Sequence, residues 1–441
     1  MPYIPHTQKD TEEMLKTIGV ARIDDLFDAV PVEIFQKSAF NLPPGLSEQE
    51  TRAEVERLAA RNNNPRVSFV GGGVYQHYIP AHVAHLAGRS EFYTAYTPYQ
   101  PEISQGILQS IFEYQTMITR LTGMDASNAS MYDGSSAAGE VCFMVAGLAG
   151  KNKILAARSV NPQYREVMRT YCTAKDLELV EVPFERETGR INLEKLAEML
   201  DEEAAGVFVQ SPNFFGVVED LKRIADLARA KGKVTAQIIT EALSLGLLTP
   251  PGENDINIAV GEGQSFGLPV SGGGPGFGFL AVKEKHVRKL PGRIVGETAD
   301  AAGRKAYVLT LQAREQHIRR EKASSNICSN QAWCALTGVI YLASLGKKLR
   351  DLALLNHQNS LYFQKKLSEN GWQRTFSAPF FNEFVVDVGD VRSALLKLRE
   401  KKIAGGLDLG GLYPELMGKM LITVTEIIEK DKMESYLETI I

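Results

Sequence analysis

Residues 261–278 read Gly-Glu-Gly-Gln-Ser-Phe-Gly-Leu-Pro-Val-Ser-Gly-Gly-Gly-Pro-Gly-Phe-Gly, and ten of these eighteen residues are glycine or proline. Glycine reaches backbone angles and close approaches closed to other residues. So dense a run of Gly and Pro punctuates a fold rather than continuing a helix or a strand. A flexible linker is the plain alternative. Phe266, Leu268, Val270 and Phe277 argue against it, because Gly/Ser linkers are not normally interrupted by large apolar residues. The strand-like run 277–282 follows at once, so the segment reads as a loop with something large packed against its backbone.

The chain before this loop alternates strand and helix. Residues 153–157, 177–184, 206–210 and 234–239 read as strands, and 162–174, 193–200 and 221–230 as helices. That rhythm predicts a mainly parallel sheet covered by helices. Ligands in such sheets sit outside the carboxyl ends of the strands. Ser211-Pro212-Asn213, Thr240-Glu241 and Gln264 all fall at predicted strand ends, which makes that edge the candidate site.

Residues 1–65 predict a helical arm, with a helix over 11–18 ending at Gly19 and a second opened by the capping box Ser47-Glu48-Gln49-Glu50. Asn62-Asn63-Asn64-Pro65 stops the second helix. Strand-like residues 67–70 run into Gly71-Gly72-Gly73. Tyr93, Tyr96 and Tyr99 then fall at spacing three around Pro98, and Pro101 is expected to open a helix through Ile103, Ile107, Ile111 and Ile118 to Gly123. The tyrosines are either a packing wedge or an aromatic wall with hydroxyl tips at a site or interface, and composition alone does not choose between them. At Gly134-Ser135-Ser136 a helix begins, and backbone N–H groups at a helix start attract anions; a capped helix without ligand is the alternative. Residues 304–332 read as a helix end and a polar turn, with a basic cluster of Arg314, Arg319, Arg320 and Lys322. Residues 326–441 predict a smaller α+β domain behind a large domain at 66–325. Its elements are a helix to Leu345, a helix over 352–367, strands at 383–388 and 420–425, a helix from Val391 and a loop at 405–411.

At 441 residues with 44% apolar and 23% charged residues, core formation is assured. A net charge of −4 gives no global basic footprint for nucleic acid. The apolar runs fall short of a membrane span, and Met1-Pro2-Tyr3-Ile4-Pro5-His6 has no signal-peptide pattern. The four cysteines, Cys142, Cys172, Cys328 and Cys334, are scattered without a CxxC, which suits buried cytosolic thiols. His82 and His85 lack a third ligand nearby, so no metal site is expected. The expected class is a cytoplasmic protein.

Several motifs resemble one family. Gln264-Ser265-Phe266 followed by Gly272-Gly273-Gly274-Pro275-Gly276 is similar to the Lys-Thr-Phe and Gly-Gly-Gly-Pro-Gly elements of glycine decarboxylase, the P-protein of the glycine cleavage system, a fold-type I pyridoxal-phosphate enzyme. Residues 93–100 and 102–106 resemble its Tyr-Thr-x-Tyr-Thr-Pro-Tyr-Gln and Glu-Ile-Ser-Gln-Gly signature. The resemblance implies a fold-type I α/β large domain, a cofactor-phosphate cradle at Gly134, Ser135 and Ser136, and Glu241 as the carboxylate for the pyridine nitrogen, one methylene longer than the usual aspartate. The position of the Schiff-base lysine holds Gln264, whose amide nitrogen is no amine nucleophile. The chain therefore resembles subunit 1 of a two-subunit enzyme. It implies an α2β2 heterotetramer in which pyridoxal phosphate sits on a homologous, lysine-bearing partner chain and none is covalently bound to this one. The complex would decarboxylate glycine and pass the aminomethyl group to the lipoamide of the carrier H-protein, with Tyr93, Tyr96, Tyr99 and Gln100 completing the partner's active site. The alternatives are a stand-alone pyridoxal-phosphate lyase with its lysine elsewhere and a structural or regulatory pseudoenzyme.

Overall fold

The structure is a computed structural model that describes residues 6–37, 42–93, 95–323, 325–327 and 330–440. The amino-terminal run 1–5, Thr94, Cys328, Ser329 and the side chain of Arg314 lie outside the described residues. Two compact units are present, residues 1–64 and 65–441.

The first unit is helical. α1 (Gln8–Ile18) starts at Thr7, which shares a reciprocal capping box with Asp10, and ends at Gly19 with φ 89°. α2 (Val32–Lys37) follows. α3 (Glu48–Ala59) opens on the capping box read from the sequence: Ser47 Oγ accepts from Glu50 N–H at 3.3 Å, and the Glu50 carboxylate accepts from Ser47 N–H at 2.9 Å. None of the three helices has a buried residue.

The second unit begins with β1 (Val67–Ser68), α4 (Ala81–Ala87), α5 (Ser90–Tyr93), α6 (Gln105–Thr122), β2 (Ala126–Ser127) and α7 (Gly134–Ala149). The predicted alternation then appears as β3 (Lys153–Ala157), α8 (Pro162–Thr173), β4 (Glu178–Val182), α9 (Leu193–Met199), β5 (Ala204–Gln210), α10 (Leu221–Ala230), β6 (Val234–Ile239), β7 (Ile258–Glu262) and β8 (Gly278–Val282). These strands form a seven-stranded sheet in the order β2-β8-β7-β6-β5-β3-β4. Pairing is parallel from β4 to β7 and antiparallel at β7–β8 and β8–β2. β5 is buried at every residue, the signature of a parallel strand covered on both faces. α7 packs on β3 and β5–β8, while α9 and α10 pack on β4 and β6.

The sequence reading differs from the structure in three places, the smallest being the expected loop 405–411, where Leu407 and Asp408 pair as a strand with Leu421 and Met420. Pro101 opens only a single 3-10 turn over Pro101–Ile103, and α6 begins afresh at Gln105. The break falls at Ser104, whose φ of −120° is not helical, and the Gln105 side chain donates back to Pro101 C=O instead of continuing the helix. Residues 304–310 are not the end of a helix. β9 (Ile294–Ala299) and β10 (Lys305–Thr310) form an antiparallel hairpin, turned at Asp300 and Gly303. Tyr307 and Leu309 face inward, and Gln105 pairs with both the N–H and the C=O of Tyr307. Those long-range bonds hold the strand in a stretch whose following residues are rich in helix formers.

The remaining elements are α11 (Gln316–Arg319), α12 (Ala332–Leu345), α13 (Leu349–Glu369), β11 (Glu383–Asp387), α14 (Val391–Glu400), β12 (Ile403–Ala404), β13 (Leu407–Asp408), β14 (Lys419–Thr423) and α15 (Lys430–Ile440). A small antiparallel sheet, β11-β14-β13, packs Phe384, Val386, Met420 and Ile422 against Phe363 and Tyr436. Phe69 joins this core because β1 pairs in parallel with β12. That pairing fixes where residues 71–78 enter the strand-end edge of the large sheet. Among the described residues no helix is long and apolar enough to cross a membrane.

The loop after β5 meets the small sheet at Gly216, whose φ is 79° and where an added Cβ would lie 1.9 Å from Glu383 C=O. Gly216→Ala should therefore cost about 3 kcal/mol through strain and overpacking, read as a lower urea midpoint at unchanged m-value.

Candidate functional site at the carboxyl edge of the parallel sheet

A cavity of about 280 Å³ opens at the predicted edge, lined by Gly72, Ser135, Asn161, Tyr164, Glu262 and Gln264 among others. The glycine-rich run supplies one wall through Gly273, Gly274, Pro275 and Gly276. At the start of α7 the N–H groups of Gly134 and Ser136 are already engaged. Ser136 N–H and Ser135 Oγ–H donate to Asp133 Oδ1 at 2.6 and 2.9 Å. Gly134 N–H donates to Glu262 Oε2 at 2.9 Å, across 128 residues of sequence. The approach requires glycine at 134, since a Cβ there would lie 2.8 Å from Glu262 N and 2.3 Å from Tyr164 Oη. Glu262 Oε1 also accepts from Gln264 N–H at 3.2 Å. Burial pushes the Glu262 carboxyl up to about 7, against the pull of the Gly134 N–H and with the Asp133 charge adding to the rise.

Gln264 is buried, and both ends of its carboxamide are held. Oε1 accepts from Tyr75 N–H at 3.1 Å, and Nε2 donates to Leu268 C=O at 2.7 Å. One end must accept and the other must donate. An ammonium, which carries donors only, cannot satisfy Tyr75 N–H.

Tyr75 and His77 bring a second set of groups to the edge. Tyr75 Oη–H donates to Glu383 Oε2 at 2.7 Å, and Glu383 Oε1 accepts from Gly72 N–H and Thr423 Oγ–H, each at 2.7 Å. Burial pushes Glu383 up to about 7 despite those donors. His77 lies between two carboxylates, with Nε2 at 3.0 Å from Glu241 Oε2 and Nδ1 at 2.8 Å from Glu426 Oε2; its side chain is 3% exposed. Burial opposes a charged ring, yet the two carboxylates outweigh it and push the imidazolium up to about 10. Glu241 also accepts from Leu243 N–H at 3.0 Å and Asn382 Nδ2–H at 3.2 Å.

The strand-end residues thus converge only in part. Gly134, Ser135 and Ser136 form the start of α7, Ser135 and Gln264 line the cavity, and Thr240 and Glu241 join the Tyr75 and His77 network. Asn213 turns away to bond Glu219 and Gly189 C=O. Sequence reasoning missed Tyr75, His77, Glu262, Glu383 and Glu426. Glu262, a carboxylate between two glycines at a strand end, carried a local signal; the others are brought in by distant segments.

These residues do not fit pyridoxal phosphate. Position 264 offers no amine. Glu262 and Asp133 occupy the N–H groups of Gly134 and Ser136. The Glu241 carboxylate is already paired with an imidazolium.

The tyrosine loop lies at a separate, open groove of about 670 Å³, lined by Tyr96, Tyr99, Gln100, Ile103 and Ile107. Tyr93, Tyr96 and Tyr99 are 70%, 82% and 50% exposed, so they are not a buried packing wedge within this chain. Tyr99 Oη accepts from Arg293 at 3.0 Å, and the guanidinium stands 5.0 Å from the ring centre. Tyr93 meets Trp333 edge-on at 6.0 Å, and the indole N–H donates to Ala87 C=O at 2.8 Å. Arg319, Arg320 and Lys322 are exposed, as a solvated face would be.

Comparison with known proteins places this geometry. The sequence model of a family described as glycine cleavage system P-protein matches residues 1–440. The probable glycine dehydrogenase (decarboxylating) subunit 1 of Geobacillus kaustophilus (strain HTA426) is 49% identical over 441 residues, covering 98% of this chain and 97% of that protein. A crystal structure of glycine decarboxylase (P-protein) of the glycine cleavage system, in inhibitor-bound form, superposes with a TM-score of 0.93 at 42% identity, covering 100% of this chain and 99% of that one. Glutamate decarboxylase of Lactobacillus brevis CGMCC 1306, at 13% identity and a TM-score of 0.66 over 91% of this chain and 93% of that one, shares the fold.

The buried ionisable groups set a pH dependence. The His77 pKa is raised from 6.5 to about 10, so its stabilisation is fully present below pH 6.5 and is lost as pH rises through 10. Glu219, Glu262 and Glu383 are raised from 4.5 to about 7 and act in the same direction, with their contribution lost as pH rises through 7. Thermal midpoints measured by calorimetry should fall steadily from mildly acidic to alkaline pH, and His77→Gln should flatten the alkaline part. A profile flat above neutrality in the unsubstituted chain would contradict the paired imidazolium.

Proposed function

Because the chain belongs to the glycine cleavage system P-protein family, we propose that it acts as subunit 1 of a glycine dehydrogenase (decarboxylating) whose working pyridoxal phosphate sits on a homologous, lysine-bearing subunit 2. The observation that carries this reading is Gln264, a carboxamide tied by both ends to backbone where the family's cofactor lysine belongs. In this reaction glycine loses carbon dioxide, the cofactor supplies the electron sink for the carbanion, and the aminomethyl group passes to the lipoamide of the carrier H-protein. Lys283, the first lysine behind the loop, does not take that place, because it ends on Gly123 C=O at 3.0 Å.

The contribution of this chain is a preformed surface for the partner's pocket. Tyr93 closes α5, and Tyr96, Tyr99 and Gln100 lie on the segment after it, which is stiffened by Pro98 and Pro101 and steadied by Arg293 at Tyr99, so little ordering cost remains on assembly. The apolar side chains of Met14, Ile18, Phe27, Val32 and Phe35 on the helical arm 1–65 are exposed. An arm of this kind suits a permanent interface, in keeping with an α2β2 heterotetramer in the cytoplasm. Residues 66–325 form the cofactor-enzyme-like domain of this assembly and 326–441 its small domain.

Coexpression with the lysine-bearing chain, followed by a glycine–bicarbonate exchange assay, tests the reading. The pair should exchange and this chain alone should not. Tyr96→Phe or Tyr99→Phe should slow exchange on the order of 10²-fold with the mass of the complex unchanged, as expected when a hydrogen bond made in the transition state is lost. Unchanged rates in both Phe variants would remove the loop from the active site. A complex that falls apart in Tyr96→Ala would assign the ring to packing.

A further inference from the structure

We propose that Glu262 is a tethered carboxylate that closes the phosphate seat at the start of α7, so that at mildly alkaline pH this chain excludes the cofactor by charge as well as by lacking the lysine. The inference rests on the family assignment and is independent of where the partner's cofactor sits.

The start of a helix is an anion-binding position because its first N–H groups point outward without partners and the peptide dipoles add to a partial positive charge. In this chain two side-chain carboxylates take that position. Asp133 is the local cap, reaching Ser136 N–H as capping aspartates do. Glu262 is different in kind. It arrives from the end of β7, two residues before Gln264, and spans from Gly134 N–H to Gln264 N–H with its two oxygens. The same carboxylate therefore links the anion seat to the position of the missing lysine, and it lines the cavity beside Ser135 and Tyr164.

A phosphate brought to Gly134 would have to displace the Glu262 carboxylate and stay within a few ångströms of it and of Asp133. Burial pushes the Glu262 carboxyl up to about 7, so it is charged above neutral pH, and there like charges at such separations repel strongly in a partly dry pocket. A lysine restored at 264 faces a second difficulty, since Tyr75 N–H would lose its acceptor. The phosphate-seat effect is separable from that one by comparing variants that share the same lysine.

The test places Gln264→Lys in the full-length chain with and without Glu262→Ser, copurified with subunit 2 where the chain requires it. Each protein is incubated at about pH 8.5, where Glu262 is ionised, with pyridoxal phosphate or with pyridoxal, which lacks the phosphate, and reduced with borohydride. Peptide mass mapping then reports cofactor fixed at position 264 of this chain, apart from any on the partner. Gln264→Lys alone should fix little pyridoxal phosphate, and adding Glu262→Ser should raise the yield roughly tenfold or more, the scale of one removed charge repulsion. With pyridoxal the two variants should differ far less. Equal yields of fixed pyridoxal phosphate in the two variants, whether high or low, overturn the proposal. So does an equal gain for pyridoxal, which would mean that Glu262→Ser merely opens space. Glu262→Gln, which keeps the shape and removes the charge, serves the same comparison if the serine variant does not fold. Because no glycine is present, the outcome is separate from that of the exchange assay.

Discussion

A buried imidazolium holds the strand-end edge together. His77 meets Glu241, 164 residues away, and Glu426, 349 residues away, so one ring ties the entering segment, the large sheet and the chain beyond the small sheet into one cluster. Burying three ionised groups carries a heavy desolvation penalty, and the arrangement is tolerable because each carboxylate has further donors: Leu243 N–H and Asn382 for Glu241, Tyr78 N–H for Glu426. Removing one member would leave charge uncompensated, at a cost of roughly 3–5 kcal/mol. The cluster pins residues 71–78 across the edge. Tyr75 N–H is thereby presented to Gln264, and Gly72 N–H to Glu383.

Once that segment is pinned, the chemistry of position 264 is determined by polarity. Tyr75 N–H needs an acceptor and Leu268 C=O needs a donor, and a carboxamide supplies one of each. The Gln264 carboxamide is thus a structural cross-brace between the entering segment and the glycine-rich loop. Glu241 is likewise committed within the protein, to the His77 cation. The pocket keeps its glycine-rich wall and its helix start, but its polar groups now satisfy one another.

Most of the architecture is legible in the sequence because parallel strands buried on both faces carry continuous apolar runs. β3 and β5 announce themselves in this way, and the capping box at Ser47 and the glycines at 19 and 123 mark helix ends by local chemistry. The β9–β10 hairpin is not legible in the same way. Lys305 to Thr310 is held by Gln105 from another part of the chain, and no local pattern reports that bond. At the site, Gln264 and Gly134 are readable as departures from or matches to a motif. His77 and Glu383 are not, since their roles exist only when segments hundreds of residues apart meet.

The position of Trp333 has an optical consequence. The chain has two tryptophans. Trp372 packs against the small-sheet core near Tyr436, whereas Trp333 is 36% exposed at the margin of the tyrosine loop, with Tyr93 against its edge. An indole in that place emits at a wavelength set by nearby water, and its accessibility to a soluble quencher follows from what covers the loop. Its emission is therefore a built-in reporter of occupancy at the aromatic surface, distinguishable from that of Trp372 and obtained without attaching a dye.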